Sequence, residues 1–132
     1  MPILNVKVSA KRSPEMTKVI SELLLELTTR VLGKKPEVTS IAIDYIDPAD
    51  WIVGGRSLAE QGKTSVYLDI KITDETNTKD EKARYIREAF EAFAQVLGNL
   101  HEESYIYVHD VRASAYGYGG KTQEHRYQHA PL

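Results

Sequence analysis

The chain has 132 residues, of which 27% are charged and 42% are apolar, and its formal net charge is −2 at pH 7. That length fits a single domain, and the net charge gives no electrostatic footprint for nucleic acid, so we expect no nucleic-acid partner. The absence of cysteine excludes disulfides, thiol catalysis and thiolate metal sites. No stretch approaches the roughly 18 apolar residues of a membrane span, and no apolar signal region precedes the first strand, so we expect a cytoplasmic protein without a membrane partner.

The first feature along the chain is Met1-Pro2, which runs directly into the alternating strand Ile3–Val8. Proline has no backbone N–H to give to a sheet, so it is tolerated at the first residue of a strand. If Met1 is removed, Pro2 becomes a secondary amine at the end of a sheet. An α-amino group titrates near pH ~8 and desolvation disfavours its charged form, so a sheltered Pro2 would be an uncharged base. The alternative is that Pro2 only marks where the strand begins.

The first half of the chain reads as strand, helix, strand. Ser13 is a typical N-cap residue and Pro14 suits the first helical position. Apolar residues then recur at helical spacing as far as Val31, and Gly33 supplies the stop. A second alternating strand is predicted over 41–45.

A glycine turn with an aromatic residue follows each closing strand. Trp51 precedes one glycine pair, and Tyr116 precedes a second glycine-rich turn later in the chain. Such turns are typical of tight hairpins. The tail over 121–132 is polar and we expect it to be loosely held. His125 and His129 have the spacing of helical metal ligands, but no carboxylate motif accompanies them, so we expect a solvated tail and no metal site.

The second half repeats the first. The segment 4–8 matches 68–72 at an offset of 64 positions, and 31–33 recurs as 96–98 at an offset of 65. Repeats of this kind indicate duplicated supersecondary units. We therefore predict one domain, 1–132, made of two tandem repeats that cover about 1–62 and 63–132.

The elements of the second repeat follow in the same order. A capping box from Thr78 to Glu81 predicts the start of its helix, and Gly98 its end. The closing strand is predicted over 105–109. Because a helix connects the two strands of each repeat, those strands run parallel. The result is an α+β fold: two β-α-β repeats form a four-stranded mixed sheet with both helices on one face.

The opposite face of this sheet is polar and rich in tyrosine. Alternation assigns Asn5, Asp69, Tyr105, Tyr107 and His109 to it. Two helices on the other face cannot cover these side chains. The face is therefore either solvated, as mixed sheets tolerate, or covered by other copies of the chain.

These features together resemble the tautomerase superfamily, the group of 4-oxalocrotonate tautomerase and macrophage migration inhibitory factor. The motifs that carry the resemblance lie at strand starts, helix starts and turns: Pro2-Ile3, Arg12-Ser13, Gly33-Lys34-Lys35-Pro36, and Trp51 followed by Gly54-Gly55. The resemblance implies a fused, double-length chain that forms homotrimers with the sheets inside. It also implies a keto–enol isomerase of small 2-keto carboxylates, with an N-terminal proline as general base and no cofactor.

The resemblance assigns roles position by position. Pro2 matches the catalytic proline, Arg12 an arginine that binds a substrate carboxylate, and Lys34 a lysine near the pocket. Trp51 takes the place of a pocket phenylalanine, and Tyr105 aligns with a pocket tyrosine. From the residues alone, Arg12 and Lys34 could equally be solvated, and Trp51 could be an interface anchor.

The chain also departs from the pattern of the family. Tyr107 replaces a pocket asparagine, and Ala42 stands where the short enzymes carry a second substrate-binding arginine. The segment 73–77 lies where the dehalogenase and decarboxylase branches place paired arginines. Arg112 is a further substrate-binding candidate, unless it forms a salt bridge at the strand end. The alternatives in function are a non-catalytic trimeric binding protein and a related proline-dependent decarboxylase, dehalogenase or hydratase.

Overall fold

The computed structural model describes residues 2–131. The strands, in chain order, are β1 (Ile3–Val8), β2 (Ser40–Tyr45), β3 (Ile52–Val53), β4 (Arg56–Ser57), β5 (Val66–Thr73), β6 (Tyr105–Val111), β7 (Gly117–Tyr118) and β8 (Lys121–Thr122). The main sheet has the order β2-β1-β5-β6. β1 is parallel to β2 and β5 is parallel to β6, while β1 and β5 are antiparallel. The predicted four-stranded mixed sheet is confirmed.

The helices are α1 (Pro14–Arg30), α2 (Leu58–Gln61), α3 (Lys79–Leu97) and α4 (Gln123–Gln128). α1 starts where the sequence predicts, because Ser13 Oγ accepts a hydrogen bond from Met16 N at 3.0 Å. α3 starts with the predicted capping box: Glu81 N donates to Thr78 Oγ1 at 3.1 Å, and Thr78 N donates to Glu81 Oε1 at 2.7 Å. Within residues 2–131, no helix has the length and apolar character that crossing a membrane requires.

The core lies between the sheet and the two long helices. Its side chains alternate along the strands and repeat at helical spacing along α1 and α3. The fully buried ones include Leu4, Val6, Val8, Ile20, Leu24, Leu68, Ile70 and Phe93. Tyr85 is buried as well, and its hydroxyl is hydrogen-bonded to Thr28 Oγ1 at 2.9 Å. Burial raises the pKa of Tyr85 to about 12.

Each repeat ends in a two-stranded hairpin followed by a short helix, and the second of these is the tail of the chain. The expectation of a loosely held tail is wrong for the described residues. The Arg126 guanidinium lies 4.0 Å from the centre of the Tyr118 ring, and its Nη2 donates to Tyr118 O at 2.9 Å. The rings of His125 and His129 stack with centroids 4.2 Å apart.

Candidate active site

Pro2 lies at the end of the sheet where β1 and β2 begin and β5 ends. The residue is buried, and its carbonyl accepts a hydrogen bond from Ser40 N at 3.0 Å. Ile3 pairs with Ser40 on one side and with Lys71 on the other, so Pro2 adjoins the last residues of β5. Met1, whose removal would free the Pro2 amine, is outside the described residues.

Lys34 is held at this same end, just after α1. Its Nζ donates to Thr76 Oγ1 at 2.8 Å, and Thr76 Oγ1 in turn donates to Thr73 O, in the last residue of β5, at 2.5 Å. The Lys34 side chain is half-buried. Partial burial lowers its pKa below the ordinary value for lysine, against the charges of Glu81 and Asp110, which favour protonation. Pro2 and Lys34 therefore share one end of the sheet.

The end of β6 adds further polar groups here. Asp110 Oδ2 pairs with Lys82 Nζ at 2.5 Å, so the strand-end salt bridge forms between these two residues. Arg112 directly follows β6, and its side chain is exposed. The hydroxyl of Tyr116 is hydrogen-bonded to Thr73 Oγ1, which places the second hairpin at the Pro2 end.

Trp51 and Tyr105 lie at the opposite end of the sheet. Both line one cleft of about 670 Å³. β1 crosses the sheet between Pro2 and this end, and its six residues rise about 3.3 Å each, so the cleft lies roughly 20 Å from Pro2 within one chain. The two aromatic residues that the resemblance assigns to the pocket are brought together, but not beside Pro2.

The cleft also contains polar residues that were not predicted from the sequence. Arg56, His101 and Glu103 line it. Glu103 Oε2 accepts a hydrogen bond from the Tyr105 hydroxyl at 2.5 Å, which raises the pKa of that phenol. His101 Nδ1 accepts a hydrogen bond from Glu103 N at 3.0 Å. The duplication could have pointed to this segment. His101 is the second-repeat counterpart of Pro36 at the offset of 65, and Pro36 belongs to one of the motifs that carry the family resemblance.

Arg12 and Tyr107 are remote from Pro2. Arg12 follows β1 at the far end and is exposed, beside Thr17 and Tyr45 in a shallow pocket. Tyr107 lies in the middle of the open sheet face, with its ring stacked at 6.3 Å from Tyr105 and at 5.5 Å from the ring of His109. One chain therefore groups Pro2, Lys34 and Arg112 at one end of the sheet and Arg12, Trp51 and Tyr105 at the other.

The centre of the open face carries a small charge cluster. Asp69 accepts a hydrogen bond from Lys71 Nζ at 2.9 Å, and its second carboxylate oxygen lies 3.4 Å from His109 Nε2. That second oxygen, Oδ1, is buried without a hydrogen-bond partner among residues 2–131. Among the same residues, no group of three His, Cys, Asp or Glu side chains is placed to hold a metal ion.

The first half of the chain is similar to known tautomerases. The family model described as "Tautomerase enzyme" matches residues 2–61. A curated relative, "Probable tautomerase K2" of Dickeya dadantii (strain 3937), is 29% identical over 66 residues, which are 46% of this chain and 92% of the relative. The matched first half and this relative support a tautomerase-type function.

Solved structures match along nearly the whole chain. A wild-type fused 4-OT, determined as an asymmetric trimer, is similar with a TM-score of 0.79 and 18% identity, over 93% of this chain and 97% of that one. A protein inactivated by 2-oxo-3-pentynoate matches with a TM-score of 0.80 and 12% identity, also over 93% and 97%. At these identities the likeness concerns the fold, and it confirms the fold class predicted from the duplication.

Proposed function

We propose that this chain, which belongs to the tautomerase superfamily, is an isomerase that interconverts the keto and enol forms of a small 2-keto carboxylate. Pro2, freed by removal of Met1, is the general base. The observation that carries the proposal is the position of Pro2: a buried residue at the end of β1, on the same sheet end as the half-buried Lys34.

The chemistry needs a base that is unprotonated near neutral pH. Burial disfavours the charged form of an amine, so the surroundings of Pro2 favour a free base. Pro2 N takes a proton from the carbon next to the substrate carbonyl, and negative charge builds on the carbonyl oxygen. A cation near that oxygen stabilises the charge, and Lys34 is the candidate for it. Protonation of the oxygen by water then gives the enol, and Pro2 N returns its proton to the solvent.

The walls of the pocket come, in this proposal, from a second copy of the chain. Trp51 and Tyr105 line a cleft roughly 20 Å from Pro2 within one chain, so they cannot shelter the Pro2 of the same copy. A homotrimer in which the open sheet faces meet would bring the cleft of one copy to the Pro2 end of its neighbour. A fused 4-OT of similar fold is a trimer, which supports the assembly of three copies.

The test combines activity with covalent labelling. Protein whose mass shows that Met1 is absent should speed the enol-to-keto conversion of phenylpyruvate, followed by ultraviolet absorbance. Pro2→Ala should lose most of that activity, because a primary amine differs from proline in basicity and in the placement of its nitrogen.

The compound 2-oxo-3-pentynoate, which inactivates a protein of similar fold, is the probe for the base. Because its triple bond is conjugated to a ketone, a free amine can add to it, and the adduct should map to Pro2 by peptide mass spectrometry. Protein that retains Met1 is the matched control, since its Pro2 nitrogen is an amide. Equal activity with and without Met1 would overturn the amine mechanism, whereas no activity in either form would leave a binding protein of the same fold.

A further inference from the structure

We propose that Thr76, in the second repeat, is a positioning residue that holds the Lys34 ammonium at the Pro2 end of the sheet. The inference rests on the proposed function, because it gives the Lys34 cation its place in that site. The contact joins residues 42 positions apart in the chain and belongs to neither repeat alone.

The hydroxyl of Thr76 accepts a hydrogen bond from Lys34, and its own hydrogen has two acceptors in reach, Thr73 O at 2.5 Å and the more distant Asn77 Oδ1 at 3.5 Å. Donation to the nearer acceptor, Thr73 O, leaves the oxygen lone pairs turned toward Lys34. Lys34 Nζ donates into those lone pairs at 2.8 Å. The carbonyl of Thr73 thus orients the hydroxyl so that it receives a cation. Thr73 ends β5, the strand beside Pro2, so the ammonium is tied to the sheet by two successive hydrogen bonds.

The residues on either side of Thr76 also have distinctive local structure. Glu75, directly before it, has φ of 64°, a left-handed conformation that is uncommon for a residue other than glycine. Asn77, directly after it, donates from Nδ2 to Leu32 O at 2.9 Å. That carbonyl lies just past α1, two residues before Lys34. The loop therefore forms hydrogen bonds both to the backbone just before Lys34, through Asn77, and to the Lys34 ammonium, through Thr76.

Lys34 needs the hydrogen bond to Thr76 because its side chain is half-buried. An ammonium removed from water is costly unless hydrogen bonds replace the water. Both carboxylates that act on Lys34 already have other partners, since Asp110 is paired with Lys82 at 2.5 Å and Glu81 Oε1 accepts from Thr78 N at 2.7 Å. Without the Thr76 hydroxyl, the flexible lysine chain would turn toward solvent and carry its charge away from the Pro2 end.

The experiment compares Thr76→Val, which keeps the shape but removes the hydroxyl, with Thr76→Ser, which restores it. The matched control is Thr64→Val, because the Thr64 hydroxyl also donates to a backbone carbonyl, Gly98 O at 2.6 Å, but at the other end of the sheet. The first readout is independent of activity: acetic anhydride labelling of Lys34 across a pH series, quantified by peptide mass spectrometry.

Thr76→Val should raise the labelling midpoint, the pH at which Lys34 reacts at half its maximal rate, toward the value of a solvated lysine. Thr76→Ser and Thr64→Val should leave this midpoint unchanged. A midpoint in Thr76→Val that is unchanged or lower would show that Lys34 keeps its position without the hydroxyl, and would overturn the inference. This readout decides the positioning role even if the wild-type protein proves to have no isomerase activity, which would overturn the proposed function alone.

The second readout is kcat/KM on a 2-keto acid. Losing a hydrogen bond to a charged group corresponds to about a tenfold loss, which is expected for Thr76→Val and should be largely restored in Thr76→Ser. Because Thr76 acts through Lys34, adding Thr76→Val to Lys34→Ala should cost little more than Lys34→Ala alone. Full additivity of the two losses would show that Thr76 acts elsewhere and would contradict the proposal.

Discussion

The two cations that the family resemblance singles out have different surroundings. Lys34 is half-buried and hydrogen-bonded at the Pro2 end, whereas Arg12 is exposed at the far end of the sheet. A planar guanidinium suits a carboxylate, which it can bind with two parallel hydrogen bonds. Arg12 can therefore serve a substrate only at a site that a second copy completes, while Lys34 can serve the Pro2 of its own chain.

This difference leads to a prediction for Arg12. Arg12→Ala should raise KM for a 2-keto acid by about tenfold, the effect of losing a charge-assisted hydrogen bond, with a much smaller change for the corresponding ester. Steady-state kinetics on phenylpyruvate and its ester would measure both.

Lys11→Ala is the matched control for that experiment, because Lys11 is an exposed cation directly beside Arg12. A general loss of positive charge would affect both variants alike, whereas a specific anchor affects Arg12→Ala alone. If Arg12→Ala changes the acid and the ester equally, the carboxylate anchor must be sought among Lys34, Arg56 and Arg112.

The two long helices meet through a buried polar contact between repeats. The Tyr85 hydroxyl of α3 and the Thr28 hydroxyl of α1 are hydrogen-bonded at 2.9 Å, and both residues have 0% exposure. Either hydroxyl left alone in this position would be a buried polar group without a partner. The hydrogen bond between them therefore favours one specific alignment of α1 against α3.

The effects of removing the two hydroxyls should accordingly not be additive. Tyr85→Phe or Thr28→Val alone should lower the free energy of unfolding by about 1–3 kcal/mol, because the remaining hydroxyl is buried unpaired. The double variant should lose less than the sum of the two. Urea denaturation followed by circular dichroism measures this, with Tyr127→Phe, at an exposed tyrosine of α4, as the control. Strict additivity would contradict the coupling.

The elements could be predicted from local chemistry, because caps and alternation are local signals. The starts of α1 and α3 follow from Ser13 and Thr78, as their hydrogen bonds demonstrate. The strand predicted over 105–109 continues to Val111, because pairing with β5 extends it past the last apolar alternation. The order of the tail was not predictable, since it depends on Arg126 packing on Tyr118 across a turn.

Less of the candidate site than of the fold could be predicted from the sequence. Pro2 and Lys34 could be singled out through motifs, but their neighbours depend on how the second repeat folds back. Thr76 has no motif of its own, and it lies in a loop in which Glu75 has a left-handed backbone that the sequence does not signal. Similarly, His101 and Glu103 join Trp51 in one cleft only because β6 begins beside the first hairpin.

At the scale of the whole molecule, the open face of the sheet determines the assembly we expect. Tyr105 and Tyr107 are 52% and 46% exposed there, and Ile3 is 43% exposed. On the same face, Asp69 Oδ1 is buried within the chain, 3.4 Å from His109 Nε2 and without a hydrogen-bond partner among residues 2–131. A sheet face with exposed aromatic and aliphatic residues has the character of an interface.

We therefore expect a homotrimer whose stability depends on Tyr107. Tyr107→Lys should shift the protein toward monomer, because three lysines brought together at one interface repel each other and lose their hydration. The monomer itself should still fold, since residue 107 pairs directly with Asp69 across β5 and β6, where a lysine is tolerated. Val19→Lys is the matched control: Val19 is 43% exposed, close to the exposure of Tyr107, but lies on α1 away from the sheet face.

Sedimentation velocity at micromolar concentration distinguishes the outcomes, with circular dichroism to show that each variant is folded. Wild type and Val19→Lys should sediment as trimers and Tyr107→Lys as a smaller species. The same samples connect assembly to activity, because the proposed pocket takes Trp51 and Tyr105 from a second copy. Tyr107→Lys should therefore lose isomerase activity in proportion to the fraction dissociated, although its Pro2 and Lys34 are intact. A wild-type monomer, or a monomeric variant with full activity, would contradict the composite site and require that one chain alone shelters Pro2.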